Sequence, residues 1–382
     1  MSSSSFSPCA RPRRRGRRAF VAAAPQAAAA EVAPLPLFWP APPSRRVVLP
    51  VFLPFRGCPV RCVFCAQDAQ TGRAGSAPDL RAILAEAGAA LRHRAEQGCA
   101  PVELAFYGGT FTALPEAELH ACLALAATAL ERGWAASFRC STRPDRLNAA
   151  MLQRLREAGC TTVELGVQSF ADTALAASRR GYDAACARRA CARVLDAGLQ
   201  LGVQLLPGMP GHTPAMFRND VEQALDAGAR MLRFYPCLVL EGTALAALWR
   251  EGRYAPWPLD VTLEALARGW LAASAAGVPV IRMGLAPEPA LRRAVLDGPA
   301  DPALGSRVMG RGLLLAVRHI LNVRVPDSSA PAFELLLPRA AQGCLWGHRG
   351  ELRAAWAALG LHGVRFVEDA APAVRIFTAV PA

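Results

Sequence analysis

The 382-residue chain contains no lysine: all 43 of its basic residues are arginine, set against 30 acids. Its formal charge of +13 is therefore weak evidence for a polyanionic partner, because alanine is abundant too and a codon bias produces both features. Also missing is an unbroken apolar run long enough to cross a bilayer, since prolines interrupt the longest candidates, and no membrane partner is expected. Cysteine, 12 of 382 residues, shows no extracellular disulfide framework, so a soluble, cytoplasmic setting with reduced thiols is expected. What remains is a chain that is 53% hydrophobic, enough for one large barrel-like core or two domains.

Residues 1–46 form a distinct arm. They carry eight arginines and one acid, Glu31, together with Ser2 to Ser5, Ala27 to Ala30 and repeated prolines from Pro34 to Pro43. That composition cannot bury enough apolar surface to fold and predicts a disordered tail. An organellar targeting segment, an overlong start and a nucleic-acid arm remain alternatives.

From Arg46 onward, short apolar runs alternate with longer amphipathic ones, the pattern of βα units and a parallel sheet. Strands are predicted near 47–54, 101–107, 136–141, 162–168, 200–206 and 230–236. Helices are predicted near 78–97, 115–132, 147–159, 183–197 and 213–227. Six such units with right-handed crossovers curl into an α/β partial TIM-type (β/α)6 barrel over 47–285, whose chemistry belongs at the carboxyl ends of the strands. Beyond it, 243–252 and 260–276 read as helices and Val278 to Met283 as a further strand. Residues 286–382 read as a helical and small α+β cap.

Alternation inside the strands adds a second argument. Side chains two apart share a face, which turns Tyr107, Arg139, Ser141, Glu164, Gln168, Gln204, Arg233 and Tyr235 toward the barrel interior. Buried charge must be paired, so Glu164 is expected to meet Arg139 or Arg233 in a polar cavity. In the cap, Gly343-Cys-Leu-Trp-Gly-His-Arg349 mixes aromatic and basic residues; a packing tryptophan is favoured over an RNA contact. Cys140 and Cys237 fall near strand ends and are expected to be small buried hydrophobes.

The residues richest in chemistry are Cys58, Cys62 and Cys65, in Phe55-Arg-Gly-Cys-Pro-Val-Arg-Cys-Val-Phe-Cys65. A zinc site lacks a fourth ligand nearby, the next histidine being His93. Cys62 and Cys65 stand too close for an ordinary disulfide staple. Three thiolates on one loop suit a four-iron cluster that keeps one iron open, by the same logic that leaves a position free in catalytic zinc sites.

This loop, with Phe64 before the third cysteine, resembles the signature of radical S-adenosylmethionine (SAM) enzymes. Phe106-Tyr-Gly-Gly-Thr-Phe-Thr112, Ser141-Thr-Arg-Pro-Asp145, Glu164-Leu-Gly-Val-Gln-Ser169, Leu206-Pro-Gly-Met-Pro-Gly211 and Arg233-Phe-Tyr-Pro236 extend the resemblance. The set is most similar to the core of the elongator catalytic subunit and its stand-alone bacterial relatives, without the acetyltransferase domain. The resemblance implies a 4Fe-4S cluster on Cys58, Cys62 and Cys65, and SAM contacts from Phe64, Gly108, Gly109, Thr110, Arg143, Gln168 and Arg180. Gly108, Gly109 and Thr110 would take the methionyl amino group and Arg180 the carboxylate, although Tyr182 stands where family members often have histidine. It further implies an external one-electron reductant and modification of an RNA, a tRNA base foremost. Porphyrin-type or methylthio-transfer chemistry and a heme- or cofactor-binding chaperone are the alternatives; no second three-cysteine set is visible for methylthio transfer. The sequence leaves catalytic side chains and oligomeric state unassigned.

Overall fold

The computed structural model describes residues 29–35, 47–67, 69, 79–285, 288–324, 332–367 and 374–379. In chain order the elements run β1 (Ala29–Leu35), β2 (Val48–Leu53), α1 (Leu80–Glu96), β3 (Val102–Gly108), α2 (Glu116–Glu131), β4 (Ala135–Thr142), α3 (Ala149–Glu157), β5 (Cys160–Gln168), α4 (Asp172–Ala177), α5 (Ala184–Asp196), β6 (Gln200–Leu205), α6 (Pro214–Asp226) and β7 (Met231–Phe234). They continue with β8 (Val239–Leu240), α7 (Ala244–Arg250), α8 (Leu259–Ala275), β9 (Val280–Met283), α9 (Pro289–Ala294), β10 (Val295–Asp297), α10 (Leu304–Arg324), β11 (Phe333–Pro338), α11 (Arg353–Ala358), β12 (Leu361–Val367) and β13 (Val374–Ala379).

Strands β2-β3-β4-β5-β6-β7-β9 pair in that order, all parallel, as one sheet curled into a half-barrel. The α/β partial barrel is therefore as expected, with one correction of count: the sheet has seven strands, and Val280–Met283, set apart in the sequence reading, is the seventh. Two helices separate it from β7, so local alternation could not reveal its partner. Pro50 is tolerated in β2 because that strand lies at the sheet edge, where a missing N–H costs no ladder bond.

Local chemistry starts the helices where the chain must turn back over the sheet. The side chains of Asn148, Asp183 and Thr213 accept from the backbone N–H of Met151, Cys186 and Met216, capping α3, α5 and α6. Each such cap is worth about 1 kcal/mol. Alternation then divides the sheet's faces. Leu104, Phe106, Phe138, Cys140, Val163, Leu165, Leu201, Val203, Leu232 and Phe234 are buried in one continuous apolar core with helix residues such as Leu119, Leu152, Val194 and Phe217. At about 1.5–3 kcal/mol per fully buried large side chain, that outer layer dominates the fold's stability and leaves the inner face free for polar groups.

The cap is a four-stranded sheet of order β1-β13-β11-β12. Ala29–Leu35 thus departs from the expected unstructured arm: it pairs antiparallel with β13, with a register shift between Glu31 and Ala33. Composition could not anticipate this, because the stabilising partner is the edge of β13, more than three hundred residues away. Trp356 is fully buried and donates to the carbonyl of Leu345 at 2.8 Å, while half-buried Trp346 carries Arg353 over its ring at 4.7 Å. Cys140 and Cys237 are buried, as expected.

Candidate metal centre

The loop that follows β2 carries the three cysteines and is clamped to the end of β3. Gly109 N–H donates to the carbonyl of Leu53 and Thr110 N–H to that of Arg56, both at 2.8 Å. The approach is so close that a Cβ on Gly109 would run into the Arg56 carbonyl, and one on Gly57 into the Thr110 carbonyl. Gly57 adopts φ +69° and Gly108 φ +105°, which only glycine takes without strain. The two loops therefore interlock through paired glycines. Gln67 fastens the same joint, donating to the carbonyl of Gly108 at 2.7 Å while its side-chain oxygen accepts from Phe55 N–H.

The three thiols are free and half-buried. Cys58 Sγ lies 3.4 Å from Thr110 Oγ1. Arg180 Nη1 donates to Cys62 Sγ at 3.0 Å, and Arg143 Nη1 stands 3.9 Å from the same sulfur. Burial, then the neighbouring sulfurs of Cys62 and Cys58, push the Cys65 thiol up to about 12, against the pull of Arg180 and Arg61. Among the described residues, no three His, Cys, Asp or Glu side chains converge tightly enough to hold a single metal ion. Three free thiols on one loop suit a cluster, in which each binds a different iron.

Below this mouth the interior face is polar, and Glu164 is its hub. Its carboxylate accepts from Tyr107 Oη at 3.0 Å, Arg139 Nη1 at 3.1 Å, Gln204 Nε2 at 3.0 Å, and Arg233 Nε and Nη2 at 2.6 and 2.8 Å. Arg139 also pairs with Glu103, and Arg233 reaches Tyr235 Oη at 3.3 Å. Glu164 thus meets both arginines the alternation singled out. Burial alone would raise its carboxyl pKa; Arg233, Gln204 and Arg139 outweigh that and hold it below the ordinary carboxylate value. Burial and the Glu164 charge push the Tyr107 hydroxyl far up, so it stays protonated.

The remaining sequence-predicted residues gather at the mouth. Phe64 packs on the small apolar cluster of Val63, Leu175, Met209 and Cys237. Gln168 ends β5 at φ +69°, and its Oε1 is buried without a partner. Arg143 is clamped by Asp145 at 2.9 Å and by the carbonyl of Arg180 at 2.5 Å. Gly108 and Gly109, expected to admit a ligand, first of all admit the cysteine loop. Sequence reasoning missed Gln67, Asp145 and the locking part of Tyr182; a glutamine two residues after Cys65 carries no signal until its partners are known.

Comparison with known proteins agrees with this geometry. Residues 52–224 match the Radical SAM superfamily, and 229–310 match the Radical_SAM C-terminal domain. The chain belongs to the radical SAM superfamily. It is 30% identical over 237 residues to the tRNA uridine(34) acetyltransferase of Dehalococcoides mccartyi, covering 53% of this chain and 50% of that one. It is 33% identical over 128 residues to the protein of that name from Methanocaldococcus infernus, covering 33% and 24%. With Elongator complex protein 3 of Drosophila melanogaster it shares 29% over 206 residues, 46% and 37% of the two chains. The chain therefore spans half or less of the length of these relatives. Among solved structures, the archaeal Elp3 of Methanocaldococcus infernus with an N-terminal deletion superposes with a TM-score of 0.52 at 22% identity, covering 72% of this chain and 63% of that one.

Radical SAM proteins are enzymes built around a 4Fe-4S cluster and SAM, and the residues at this mouth fit both. Three free thiols stand on one clamped loop, a buried guanidinium is aimed at one of them, and Gln168, at positive φ where β5 ends, carries an unpartnered amide oxygen. Among the described residues, no helix of this radical SAM chain is long and apolar enough to cross a membrane.

Proposed function

We propose that this chain binds a 4Fe-4S cluster through Cys58, Cys62 and Cys65 and SAM at the same mouth, and modifies an RNA, a tRNA base foremost. With one electron from an external reductant, the pair would supply methionine and a 5′-deoxyadenosyl radical able to take hydrogen from an unreactive carbon. The observation that carries the proposal is the loop of three free thiols interlocked with the end of β3.

The chain's own residues hold and shield. Thr110, beside Cys58, and the backbone of Gly108 and Gly109 take the methionyl amino end. Phe64 offers an apolar wall to the adenine, and Gln168 Oε1 accepts from the amino-acid or ribose portion. Arg143, fixed by Asp145, contributes positive charge beside the cluster loop. The network around Glu164 lines the inner face with charged groups paired to one another, which keeps loose water away from a reactive carbon.

Support for RNA comes from relatives named for tRNA uridine(34) and for elongator. Because the chain spans half or less of those relatives, the acetyl transfer in their name is not carried over. A reducing, cytoplasmic compartment suits free thiols and an oxygen-sensitive cluster. Incubating the anaerobically reconstituted chain with SAM, dithionite and either total RNA or heme tests the proposal. RNA-dependent 5′-deoxyadenosine is expected. Tight heme uptake without turnover would favour a cofactor-binding chaperone, and RNA-independent turnover would move the substrate elsewhere.

A further inference from the structure

Four charges of the inner face pair among themselves: Arg139 with Glu103, and both Arg139 and Arg233 with Glu164. A fifth does not. Arg282, on the last strand of the sheet, is the Cα partner of Arg233 on β7 and therefore shares its face. It is half-buried, and its Nε donates to the carbonyl of Gly284 at 3.2 Å, two residues along its own chain. Both terminal nitrogens of its fork are without a partner among the described residues, and no carboxylate there meets it.

Glu164 cannot serve Arg282 as well. Five hydrogen bonds already converge on that carboxylate, from Tyr107, Arg139, Gln204 and twice from Arg233, whereas a carboxylate offers about four lone-pair sites. Two guanidinium groups on directly opposed residues also repel. The second open group is Tyr235. Its oxygen accepts from Arg233 Nη1 at 3.3 Å, and among the described residues its O–H donates to nothing. Burial, then the Glu164 charge, raises its pKa against the pull of Arg233 and Arg282, so the hydroxyl keeps its proton. Arg282 and Tyr235 both stand at the carboxyl ends of their strands, the end of the sheet that carries the cysteine loop, and Tyr235 packs on the same small apolar cluster as Phe64.

We propose that Arg282 and Tyr235 form an anion subsite on the inner face that takes a phosphate of the substrate, with the Arg282 fork and the Tyr235 O–H donating to its oxygens. Arginine meets phosphate through two parallel N–H bonds. A third donor from another strand suits a tetrahedral oxyanion, whose oxygens do not lie in one plane, better than a flat carboxylate. Arg233 stays with Glu164 and holds Tyr235 in place. Under the RNA reading above, on which the source of the phosphate rests, the group taken is a backbone phosphate beside the target base.

The test is fluorescence anisotropy of labelled bulk tRNA on the anaerobically reconstituted full chain, read over a range of salt concentrations. Wild type is compared with Arg282→Gln, Tyr235→Phe and Arg268→Gln, the last an exposed arginine on α8 paired with Glu264. Arg282→Gln is expected to bind roughly tenfold more weakly and to flatten the slope of log affinity against log salt by about one, the share of one phosphate contact. Tyr235→Phe should weaken binding at an unchanged slope, and Arg268→Gln should change neither. Arg282→Gln with the wild-type slope overturns the proposal, as does an equal change in Arg268→Gln, which would make the effect one of general charge. If Arg282→Gln does not fold, wild-type affinity in Tyr235→Phe overturns it instead. A wild-type chain that binds no tRNA removes the RNA reading, and pyrophosphate titrated by calorimetry then decides the subsite alone. Heat seen in wild type and lost in Arg282→Gln supports it; equal heats, or none in either, overturn it.

Discussion

The floor and the mouth of the half-barrel handle buried charge in opposite ways. On the floor, Glu164 meets Arg139 and Arg233, Arg139 meets Glu103, and Tyr107 and Gln204 fill the remaining lone pairs of the Glu164 carboxylate. At the mouth, Arg180 is equally enclosed, yet its partners are a thiol, a tyrosine hydroxyl and a carbonyl. A network whose buried charges are paired with one another supports the fold. We propose that the open one is completed by an arriving anionic group, the difference expected between a structural cluster of charge and a binding site on the same sheet.

The sharpest way to break the comparison is Glu164→Gln, which strips Arg139 and Arg233 of a shared counter-charge. Removing one partner of a buried pair costs about 3–5 kcal/mol, so urea unfolding should show a loss of that size, while Arg180→Gln should cost much less. Equal losses would mean that the mouth is as closed as the floor.

Gly109→Ala comes next. The added methyl meets the Arg56 carbonyl, and forcing extra volume into packed backbone costs about 1–3 kcal/mol. The cysteine loop should give way before the barrel does, so iron uptake after anaerobic reconstitution should fall while the circular dichroism spectrum stays helical. Unchanged iron uptake would show that the interlocked glycines do not set the loop.

A smaller effect separates the regions by pH. The Glu164 carboxyl is held below its ordinary value in the fold. Its contribution is therefore fully present above the unfolded glutamate value of about 4.3 and is lost as pH falls through the lower, folded value. Stability measured from pH 6 downward should decline less steeply in Glu164→Gln than in wild type; parallel curves would remove Glu164 from the account. Smallest of all, Arg353→Ala in the cap removes the cation from the Trp346 ring at about 0.5–1 kcal/mol. It should shift the unfolding midpoint slightly and leave iron uptake untouched.

Much of the floor was legible in the sequence because it follows strand alternation. Tyr107, Arg139, Glu164, Gln204 and Arg233 stand on five neighbouring strands, β3 to β7, and a period of two within each leaves little choice of face. The mouth was legible only in its ligands. Cys58, Cys62 and Cys65 announce themselves by spacing, but Gln67, Asp145 and Tyr182 act through partners 41, 2 and 16 residues away, in directions no pattern encodes. Gly108 and Gly109 were rightly read as sites of close approach, yet the neighbour they admit is the Arg56 loop. Strand β1 escaped, and β9 was read as a strand without its partner, because their pairing is decided by a distant edge rather than by their own residues.

We propose that Cys58, Cys62 and Cys65 together hold an iron cluster with one iron left for SAM. The direct measurement is the electron paramagnetic resonance spectrum of the reduced, reconstituted chain before and after SAM is added. A four-iron signal that changes on SAM addition, and that is absent from Cys62→Ala, is the predicted result. A protein that stays colourless and iron-free, or a cluster whose signal ignores SAM, would contradict it.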